Sequence, residues 1–389
     1  MKNILFIHQS AELYGSDKTI LMFISNLDRA KYTATVLLPS DGPLKREFEK
    51  NGIEVIIAPI LKLYRKMFSV SGVVKFFREY KEGLQKIEAL HREKNFDLVY
   101  SHTLASLIGI VFARKYKIQH LWHVQEIIAK PVIFNKGFKA LLGIKSNHKI
   151  VYDSKATMDF WVKGNSVLMA KSNFIWNGLD LEAKPEIPPA VVNDVKKQIF
   201  KVSDDEIVIG LFGRINGWKG QLLLLEAFKQ IYPRHKQCRL VYIGSAPPNQ
   251  EWFEERLKAR VLEYQLANVV RVIPFQEEIW KFWQSIDIAV VPSTEPEPFG
   301  MVAIEAMSCG KPVVAANHGG LTEIVLHNET GYLFRPNDAA DLAGYLEKLV
   351  TDAGKRKSFG EIGIKRVQQL FSLKSHVKQF EDIFSKMLQ

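Results

Sequence analysis

The stretch VPSTEPEPFGMVAIE, residues 291–305, decides the interpretation of this chain of 389 residues. It holds two glutamates eight positions apart, Glu297 and Glu305. The short apolar run IDIAVV at 286–291 predicts a buried β-strand, and the segment from Gly300 onward predicts a helix. The first glutamate is therefore expected in a strand-to-helix loop and the second on the helix. This placement of two carboxylates around a helix start indicates a ligand site.

The chemistry of these residues favours a phosphorylated polyol as the ligand. A helix N-terminus presents unpaired backbone N–H groups and partial positive charge, and both attract phosphate. A carboxylate beside that phosphate repels it unless hydroxyl groups of the ligand donate to the carboxylate. A nucleotide-sugar meets both conditions, since its diphosphate can accept from the N–H groups of Gly300, Met301 and Val302. Phe299 precedes this helix start and belongs to the same predicted nucleotide-sugar site.

A resemblance to a known family rests on two blocks of sequence. The frame EPFGMVAIEAMSCGKPVVA, followed by HGGLTEIV and GYLF, is similar to the retaining, nucleotide-sugar-dependent glycosyltransferases of GT-B family four. A second block, GLFGRINGWKG at 210–220, resembles the Arg/Lys signature of the same family. The likeness is dense over 205–335 and thinner over the first 180 and last twenty residues. It implies the reaction of the family and leaves the sugar open.

The pattern of strands and helices predicts an α/β fold of two doubly wound, Rossmann-like domains. Short β-branched runs alternate with helix-length segments through both halves, which is typical of parallel sheets covered on both faces. Prolines place the junction within 176–190, so the domains are expected at 1–177 and 178–372. The tail 373–389 predicts an amphipathic helix, and the resemblance implies that it crosses back to the first domain. Ligands are expected at the carboxyl ends of the strands, in a cleft where the two sheets face one another.

Two basic residues, Arg214 and Lys219, follow the predicted strand IVIGLF. A departing diphosphate needs positive charge, and a forked guanidinium with a point-charge ammonium suits neighbouring phosphate oxygens. The resemblance implies that this pair neutralises the leaving group, that Glu305 accepts from ribose hydroxyls and that Glu297 accepts from the donor sugar. The alternative for the basic pair is a solvated loop. No D-x-D pair after an apolar strand and no metal-ligand spacing occurs, so neither a metal nor a cofactor is expected.

Further candidate residues lie in other loops. Gly319 and Gly320, in HGGLTEIV, are expected to form a second backbone cradle on the sugar side, or else are ordinary turn glycines. In the first domain, the loop HQSAELYGSDKTI has Tyr14-Gly15 where family members commonly carry two glycines. The resemblance assigns Gly15 to the donor, and Tyr14 is expected on the acceptor side.

A strand-end histidine, His123, resembles the family's histidine that contacts the donor sugar near the acceptor. His102, at the end of DLVYS, is a second candidate on the acceptor side, although a lone histidine is more often structural. Family members often have an acidic residue directly after the histidine, whereas here Val124 follows. Glu126, three positions after His123, is the candidate replacement.

The net positive charge of the chain lies in its first half. Residues 1–180 carry 27 Lys and Arg against 16 Asp and Glu, whereas 181–389 carry 26 of each. An anionic membrane surface or a lipid-diphosphate acceptor is favoured over nucleic acid, for which no motif is present. The basic, aromatic stretch 60–94 predicts either peripheral contact with anionic lipid or a helix with core aromatics and solvated cations. A second basic region, 130–145, lies where acceptors are expected to enter.

The compartment is predicted from cysteine usage and from apolar runs. The two cysteines, Cys238 and Cys309, have no paired spacing, which favours a reducing compartment. The first apolar run is too short for a signal peptide, and none reaches the length of a membrane span. A cytoplasmic protein, peripheral at the inner face of the cell membrane, is expected.

These observations predict a retaining, metal-independent transfer of a hexose from a UDP- or GDP-sugar to a saccharide or lipid-linked acceptor. Assembly of cell-surface polysaccharide or lipopolysaccharide is the favoured setting. Two alternatives stay open: a nucleotide-sugar epimerase on the same architecture, and a non-catalytic nucleotide-sugar-binding protein. The second would usually lack Arg214, Lys219 or Glu297, and all three are present.

Overall fold

The computed structural model describes residues 1–61 and 70–389. The chain forms two compact units. Unit 1 comprises Met1–Gly178 and Leu373–Gln389, and unit 2 comprises Leu179–Ser372. The chain leaves unit 1 inside the proline-containing segment 176–190 that the sequence indicated as the junction.

Unit 1 contains a parallel sheet of seven strands within the described residues, in the order β3-β2-β1-β4-β5-β6-β7. The central strands are almost completely buried, because β-branched and aromatic side chains point to both faces. The strand order reverses between β1 and β4, so the switch point of this sheet lies where those two strands end. The strands are β1 (Lys2–Ile7), β2 (Tyr32–Leu38), β3 (Glu54–Ile57), β4 (Leu98–His102), β5 (Gln119–Val124), β6 (Lys149–Tyr152) and β7 (Ser172–Phe174).

Helices connect these strands. They are α1 (Gly15–Ser25), α2 (Pro43–Lys50), α3 (Val70–Lys94), α4 (Ile108–Tyr116), α5 (Val132–Gly143), α6 (Lys155–Val162) and α7 (Ser166–Ala170). Of the segment 60–94, residues 62–69, with Lys62, Leu63, Arg65, Lys66, Met67 and Phe68, lie outside the described residues. On α3, Phe76 packs against the core whereas Phe77 is 65% exposed. Phe76 is thus a core aromatic, and contact of this helix with anionic lipid stays a prediction.

The C-terminal helix α16 (Leu373–Met387) packs against unit 1. Its apolar stripe is buried as its 3.6-residue periodicity predicts. Phe380 and Phe384 are completely buried, and their rings contact Phe23 and Tyr100. Burial of aromatic side chains of this size stabilises the unit by roughly 1.5–3 kcal/mol each. The last residues of the chain therefore belong to the core of the first unit.

Unit 2 contains a second parallel sheet, with six strands among the described residues in the order β10-β9-β8-β11-β12-β13. Its switch point lies between β8 and β11. The predicted α/β class with two parallel Rossmann-like sheets is confirmed. The strands are β8 (Ile207–Phe212), β9 (Cys238–Ile243), β10 (Val270–Ile273), β11 (Ile288–Val291), β12 (Val313–Ala316) and β13 (Gly331–Phe334).

Helices precede and connect the strands of unit 2. They are α8 (Pro189–Asp194), which continues into a π-helical turn (Val195–Phe200), α9 (Gln221–Ile231), α10 (Trp252–Glu263), α11 (Trp280–Gln284), α12 (Met301–Ser308), α13 (Leu321–Ile324), α14 (Ala339–Val350) and α15 (Ala353–Leu370). In the part of the chain that the structure describes, none of the helices is long and apolar enough to cross a membrane.

Buried histidines cluster at the switch point of unit 1. His8 follows β1, His102 ends β4, His123 is its register partner on β5, and His376 lies on α16. Burial lowers the pKa of His102 and of His123 well below the usual histidine value, and neighbouring histidines lower it further. Burial lowers the pKa of His376 to about 4. The charged group that contacts the cluster is Asp17 of α1, which bonds His8.

The histidine cluster makes the stability of unit 1 depend on pH. Because the folded pKa values lie below the unfolded value of about 6.5, the unfolded state binds more protons as the pH falls. The free energy of unfolding is therefore expected to be highest above about pH 6.5 and to fall toward about pH 4, with a slope of up to ~1.4 kcal/mol per pH unit for each buried histidine. Urea denaturation across this range measures the slope.

Two variants test whether the histidine cluster causes this pH dependence. His376→Gln removes one buried titrating group. The number of protons taken up on unfolding is therefore expected to fall by about one, which lowers the slope by up to ~1.4 kcal/mol per pH unit. His327→Gln changes an exposed histidine of unit 2 and is the matched control. Equal slopes in the wild type and in His376→Gln would contradict the assignment.

Candidate active site

The candidate donor residues of unit 2 lie at its switch point. Loop 213–220 begins where β8 ends, and loop 292–300 begins where β11 ends. β8 and β11 are neighbours in the sheet, and the strand order continues in opposite directions from them. Ligands of open α/β sheets bind at the ends of such a pair of strands. Arg214 and Lys219 lie in the first loop, and Glu297 lies in the second.

The two loops pack closely against each other through backbone groups. Thr294 N–H donates to the carbonyl of Trp218 at 2.7 Å. Gly220 has φ +79°, and a Cβ at this position would lie 2.0 Å from the carbonyl oxygen of Pro292. Only glycine fits this contact. The final glycine of GRINGWKG is therefore required to bring loop 213–220 against loop 292–300.

A buried ion pair joins the side chains of these loops. Lys219 Nζ lies 2.6 Å from Glu297 Oε1, and Ser293 Oγ donates to the same oxygen at 2.6 Å. The Glu297 side chain is only 5% exposed, whereas that of Lys219 is 21% exposed. Among the described residues, both hydrogen-bond partners of Glu297 use Oε1, so Oε2 is available to accept from a ligand hydroxyl. The exposed part of Lys219 is the part that an anion can reach.

Arg214 lies five positions before Lys219 and is exposed. Its carbonyl accepts from Gln221 Nε2 at 3.0 Å, which fixes the loop backbone to the first residue of α9. The structure therefore places both predicted cations in one loop at the end of β8, and Lys219 is the one that pairs with Glu297.

The second glutamate, Glu305, lies on α12 and is half-buried. Trp283 Nε1 donates to Glu305 Oε2 at 3.2 Å, and the Trp283 ring packs against Phe212 at a centroid distance of 4.0 Å. Phe212 is the last residue of β8. The position of Glu305 is thus linked, through Trp283, to the strand that precedes the loop of Arg214 and Lys219.

The start of α12 has the geometry that the sequence predicted. Gly300 has φ +118°, and a Cβ there would lie 2.7 Å from Leu321 Cδ2, so the helix begins at a position restricted to glycine. Met301 and Val302 are half-buried and form its first turn. Phe299 is 2% exposed and its ring contacts Phe371, so its side chain packs in the core.

The glycine pair of HGGLTEIV holds the backbone of loop 292–300. Gly320 N–H donates to the carbonyl of Glu297 at 2.8 Å. A Cβ at Gly319 (φ +61°) would lie 2.2 Å from that carbonyl oxygen, and one at Gly320 would lie 2.5 Å from the carbonyl oxygen of Pro298. The packing contact that these distances describe is sufficient to require glycine at both positions. A ligand-binding role for either glycine stays a prediction.

In unit 1, the loop around Tyr14 and Gly15 opens α1. Tyr14 N–H donates to Asp17 Oδ2 at 2.9 Å, and the Tyr14 side chain is exposed. Apart from its chain neighbours and the backbone of its own helix, no described atom lies within 4 Å of a Cβ added to Gly15, so tertiary packing does not explain that glycine. Glu126 accepts from the N–H groups of Leu104 and Gln125 at 3.0–3.1 Å, which ties the loop after β4 to the loop after β5.

The two candidate histidines of unit 1 are both inside the core. His102 and His123 are each 1% exposed, and their rings lie 5.1 Å apart. His102 Nδ1 lies 2.8 Å from His8 Nδ1, and His123 Nδ1 lies 2.7 Å from the Tyr100 hydroxyl. Neither side chain faces solvent in this structure, so the observed contacts are structural and the predicted sugar contacts stay predictions.

The structure adds three residues that the sequence interpretation did not identify. Ser293 bonds Glu297, Trp283 bonds Glu305, and His318 Nε2 donates to the carbonyl of Ser293 at 2.8 Å. A signal was present for Ser293, since a hydroxyl directly after the strand-proline sequence IAVVP faces the same strand end as Glu297. No local pattern pointed to Trp283, which lies 22 positions before its partner.

Comparisons with known proteins agree on one family. A family model described as glycosyl transferases group 1 matches residues 192–366, which include both loops of the candidate site. The capsular polysaccharide biosynthesis glycosyltransferase CapM of Staphylococcus aureus is 26% identical over 100% of this chain and 99% of its own length. The lipopolysaccharide 1,2-N-acetylglucosaminetransferase of Salmonella typhimurium is 29% identical over 49% of this chain and 51% of its own.

A solved structure resembles the chain along its length. The crystal structure of Anabaena HepE in complex with UDP-glucose has 25% sequence identity and a TM-score of 0.84, and covers 99% of this chain and 100% of that one. The family model, the relatives and this fold bear out the resemblance inferred from the E-x7-E frame. Residues 192–366 thus match glycosyl transferases group 1, and the chain as a whole resembles glycosyltransferases in sequence and in fold.

Proposed function

We propose that this glycosyltransferase moves a hexose from a nucleotide-diphosphate sugar to an acceptor hydroxyl with retention of anomeric configuration. UDP is the favoured nucleotide, because HepE binds UDP-glucose. The observation that carries the proposal is the Lys219–Glu297 ion pair at the switch point of unit 2. It sets a cation for a diphosphate and a carboxylate for sugar hydroxyls side by side.

The donor is bound by three groups of atoms in unit 2. The diphosphate accepts from the first N–H groups of α12, at Met301 and Val302, and from Arg214 and Lys219. Glu305 accepts from the ribose hydroxyls, and Glu297 Oε2 accepts from a hydroxyl of the sugar. Charge that develops on the diphosphate as the sugar leaves meets cations that the fold has already positioned.

No metal is assigned a role in this proposal. The cations of loop 213–220 supply the positive charge that a divalent ion would otherwise supply. Within residues 1–61 and 70–389, no group of three His, Cys, Asp or Glu side chains is placed to hold one ion. The proposed leaving-group chemistry is therefore that of side chains and a helix N-terminus.

The acceptor is assigned to unit 1. A cavity of about 310 Å³ lies at the carboxyl ends of β1, β4 and β5, where Gln9 and Glu126 are its polar lining and Phe134 and Phe138 form part of its apolar wall. The adjoining helix α5 exposes Val132 and Ile133, followed by basic residues. This combination supports a saccharide or lipid-linked acceptor, and the capsular and lipopolysaccharide relatives support cell-surface polymer assembly. A location at the cytoplasmic face of the membrane is part of the same proposal.

The two alternative functions differ from this one in their products. An epimerase would release free nucleotide without needing an acceptor, and a binding protein would release no nucleotide. The family match and the presence of Arg214, Lys219 and Glu297 favour transfer. Acceptor-dependent release of free UDP from UDP-glucose separates the three functions.

Removal of the Lys219 ammonium is expected to lower kcat by roughly 10²–10³-fold, since a positioned electrostatic group at the leaving charge is lost. The variant is Lys219→Ala, with UDP release followed at saturating donor. Lys258→Ala is the matched control, because Lys258 forms a surface pair with Glu254 in the same unit. Thermal melting checks that both variants fold. A Lys219→Ala enzyme with wild-type kcat would refute the leaving-group assignment.

Ser293→Ala tests the second partner of Glu297. Loss of a hydrogen bond to a charged group costs about 1.5–3 kcal/mol, so kcat/KM for the donor is expected to fall by roughly 10–100-fold. Thr351→Ala removes an exposed hydroxyl that bonds a backbone carbonyl in the same unit, and serves as the control. If Ser293→Ala matches this control, the hydroxyl does not position Glu297.

Ligand-induced stabilisation tests donor identity independently of turnover. A nucleotide present at about 100 times its Kd adds about 2.7 kcal/mol to the apparent stability. UDP and UDP-glucose are expected to raise the Tm, GDP and GDP-mannose are expected to raise it less, and Lys219→Ala is expected to reduce the rise. A larger rise with the guanine nucleotides would transfer the assignment to GDP-sugars, and no rise with any nucleotide would refute the donor site.

A further inference from the structure

Three histidine nitrogens are buried without a hydrogen-bond partner among the described atoms of unit 1. They are the Nε2 atoms of His102, His123 and His376. Each side chain is 1–2% exposed. The ring of His123 lies 5.1 Å from that of His102 and 6.4 Å from that of His376. Buried polar atoms in folded proteins almost always have a hydrogen-bond partner, so three such atoms close together require an explanation.

The bond from Asp17 determines the proton positions on the first of these rings. Asp17 Oδ1 lies 2.7 Å from His8 Nε2, and a carboxylate only accepts, so His8 carries a proton on Nε2. In neutral His8 the other nitrogen, Nδ1, is an acceptor. His102 Nδ1, 2.8 Å away, must then be the donor. His102 Nε2 is therefore a lone pair that needs a donor.

Hydrogen-bond partners also determine the proton positions on the rings of His123 and His376. Burial raises the pKa of the Tyr100 hydroxyl well above its usual value, so that group keeps its proton. Its hydrogen-bond partner in the described structure is His123 Nδ1 at 2.7 Å, so the hydroxyl donates and His123 carries its own proton on Nε2. His376 Nδ1 lies 2.8 Å from the Trp176 carbonyl and must donate, which leaves His376 Nε2 as a lone pair.

We propose that one ordered water molecule occupies the space between these rings, accepting from His123 Nε2 and donating to the Nε2 atoms of His102 and His376. Two acceptors and one donor are what a single water satisfies, and buried waters typically make about three such bonds.

A metal ion does not fit the same site. An ion needs a lone pair from each ligand, whereas His123 Nε2 carries a proton when Tyr100 donates to that ring. The described side chains also contain no group of three His, Cys, Asp or Glu placed to bind one ion. Water is therefore the occupant that the hydrogen-bond pattern selects.

With this water in place, a continuous hydrogen-bonded chain crosses unit 1. It runs from Asp17 through His8, His102 and the water to His376 and the Trp176 carbonyl. At one end, Asp17 holds the backbone of Tyr14 in the loop before α1. At the other end, Trp176 and His376 lie within a few residues of Gly178 and Leu373, where the chain leaves and re-enters unit 1. The site thus ties the predicted substrate loop to both connecting segments.

A high-resolution crystal structure of the full chain tests the occupant directly. A water peak is expected within hydrogen-bond distance, about 2.7–3.2 Å, of all three Nε2 atoms. An anomalous signal from a metal at this position, or rings turned so that each Nε2 has a protein partner, would overturn the proposal.

Histidine ring ¹⁵N and proton spectra of the same protein test the hydrogen-bond assignment. At neutral pH, protons on Nε2 of His8 and His123 and on Nδ1 of His102 and His376 are expected. In His376→Leu the water peak is expected to disappear, and in the control His327→Leu it is expected to persist. A proton on Nε2 of His376 in the wild type, or an unchanged water in His376→Leu, would each refute the site.

Discussion

The ion pair between Lys219 and Glu297 is the interaction on which the candidate site depends. A carboxylate that is 5% exposed is costly unless it is paired and hydrogen-bonded. Glu297 obtains this pairing from Lys219 on the loop after β8 and from Ser293 on its own loop. Because removal of one partner leaves an uncompensated buried charge, the pair constrains the two loops to stay together. The same pairing leaves Oε2 of Glu297 and part of Lys219 for a ligand.

The glycines of the site follow from this constraint. Two loops can share a side-chain ion pair only if their backbones approach closely. The segment with Gly319 and Gly320 also packs against the backbone of loop 292–300. Gly220 meets the Pro292 carbonyl, and Gly319 and Gly320 meet the backbone of Glu297 and its neighbours, at distances that admit no Cβ. Packing between loops is therefore sufficient to explain why Gly220, Gly319 and Gly320 are glycines, without any contact with a donor.

The sequence predicted the architecture better than the contacts within it. Alternating buried runs indicate parallel sheets because strands of such sheets are apolar on both faces, and this placed Lys219 and Glu297 correctly at strand ends. Periodicity does not show which way a side chain turns after its strand ends. It therefore gave no warning that His102 and His123 lie inside the core, that Phe299 packs on Phe371, or that Trp283 reaches Glu305. Those contacts depend on partners distant in sequence, which local patterns do not encode.

The two switch points differ in their electrostatics, and this difference supports the assignment of substrates. In unit 2 the switch point carries Arg214, Lys219, two glutamates and a helix N-terminus, so it favours a ligand with both charge and hydroxyls. In unit 1 burial keeps His102, His123 and His376 neutral at ordinary pH, and the adjoining cavity is mostly apolar. Neutral histidines offer a diphosphate no charge, whereas apolar walls with a few polar groups suit an uncharged sugar or the head of a lipid-linked one. This contrast supports the proposal that unit 2 binds the charged donor and unit 1 binds the acceptor.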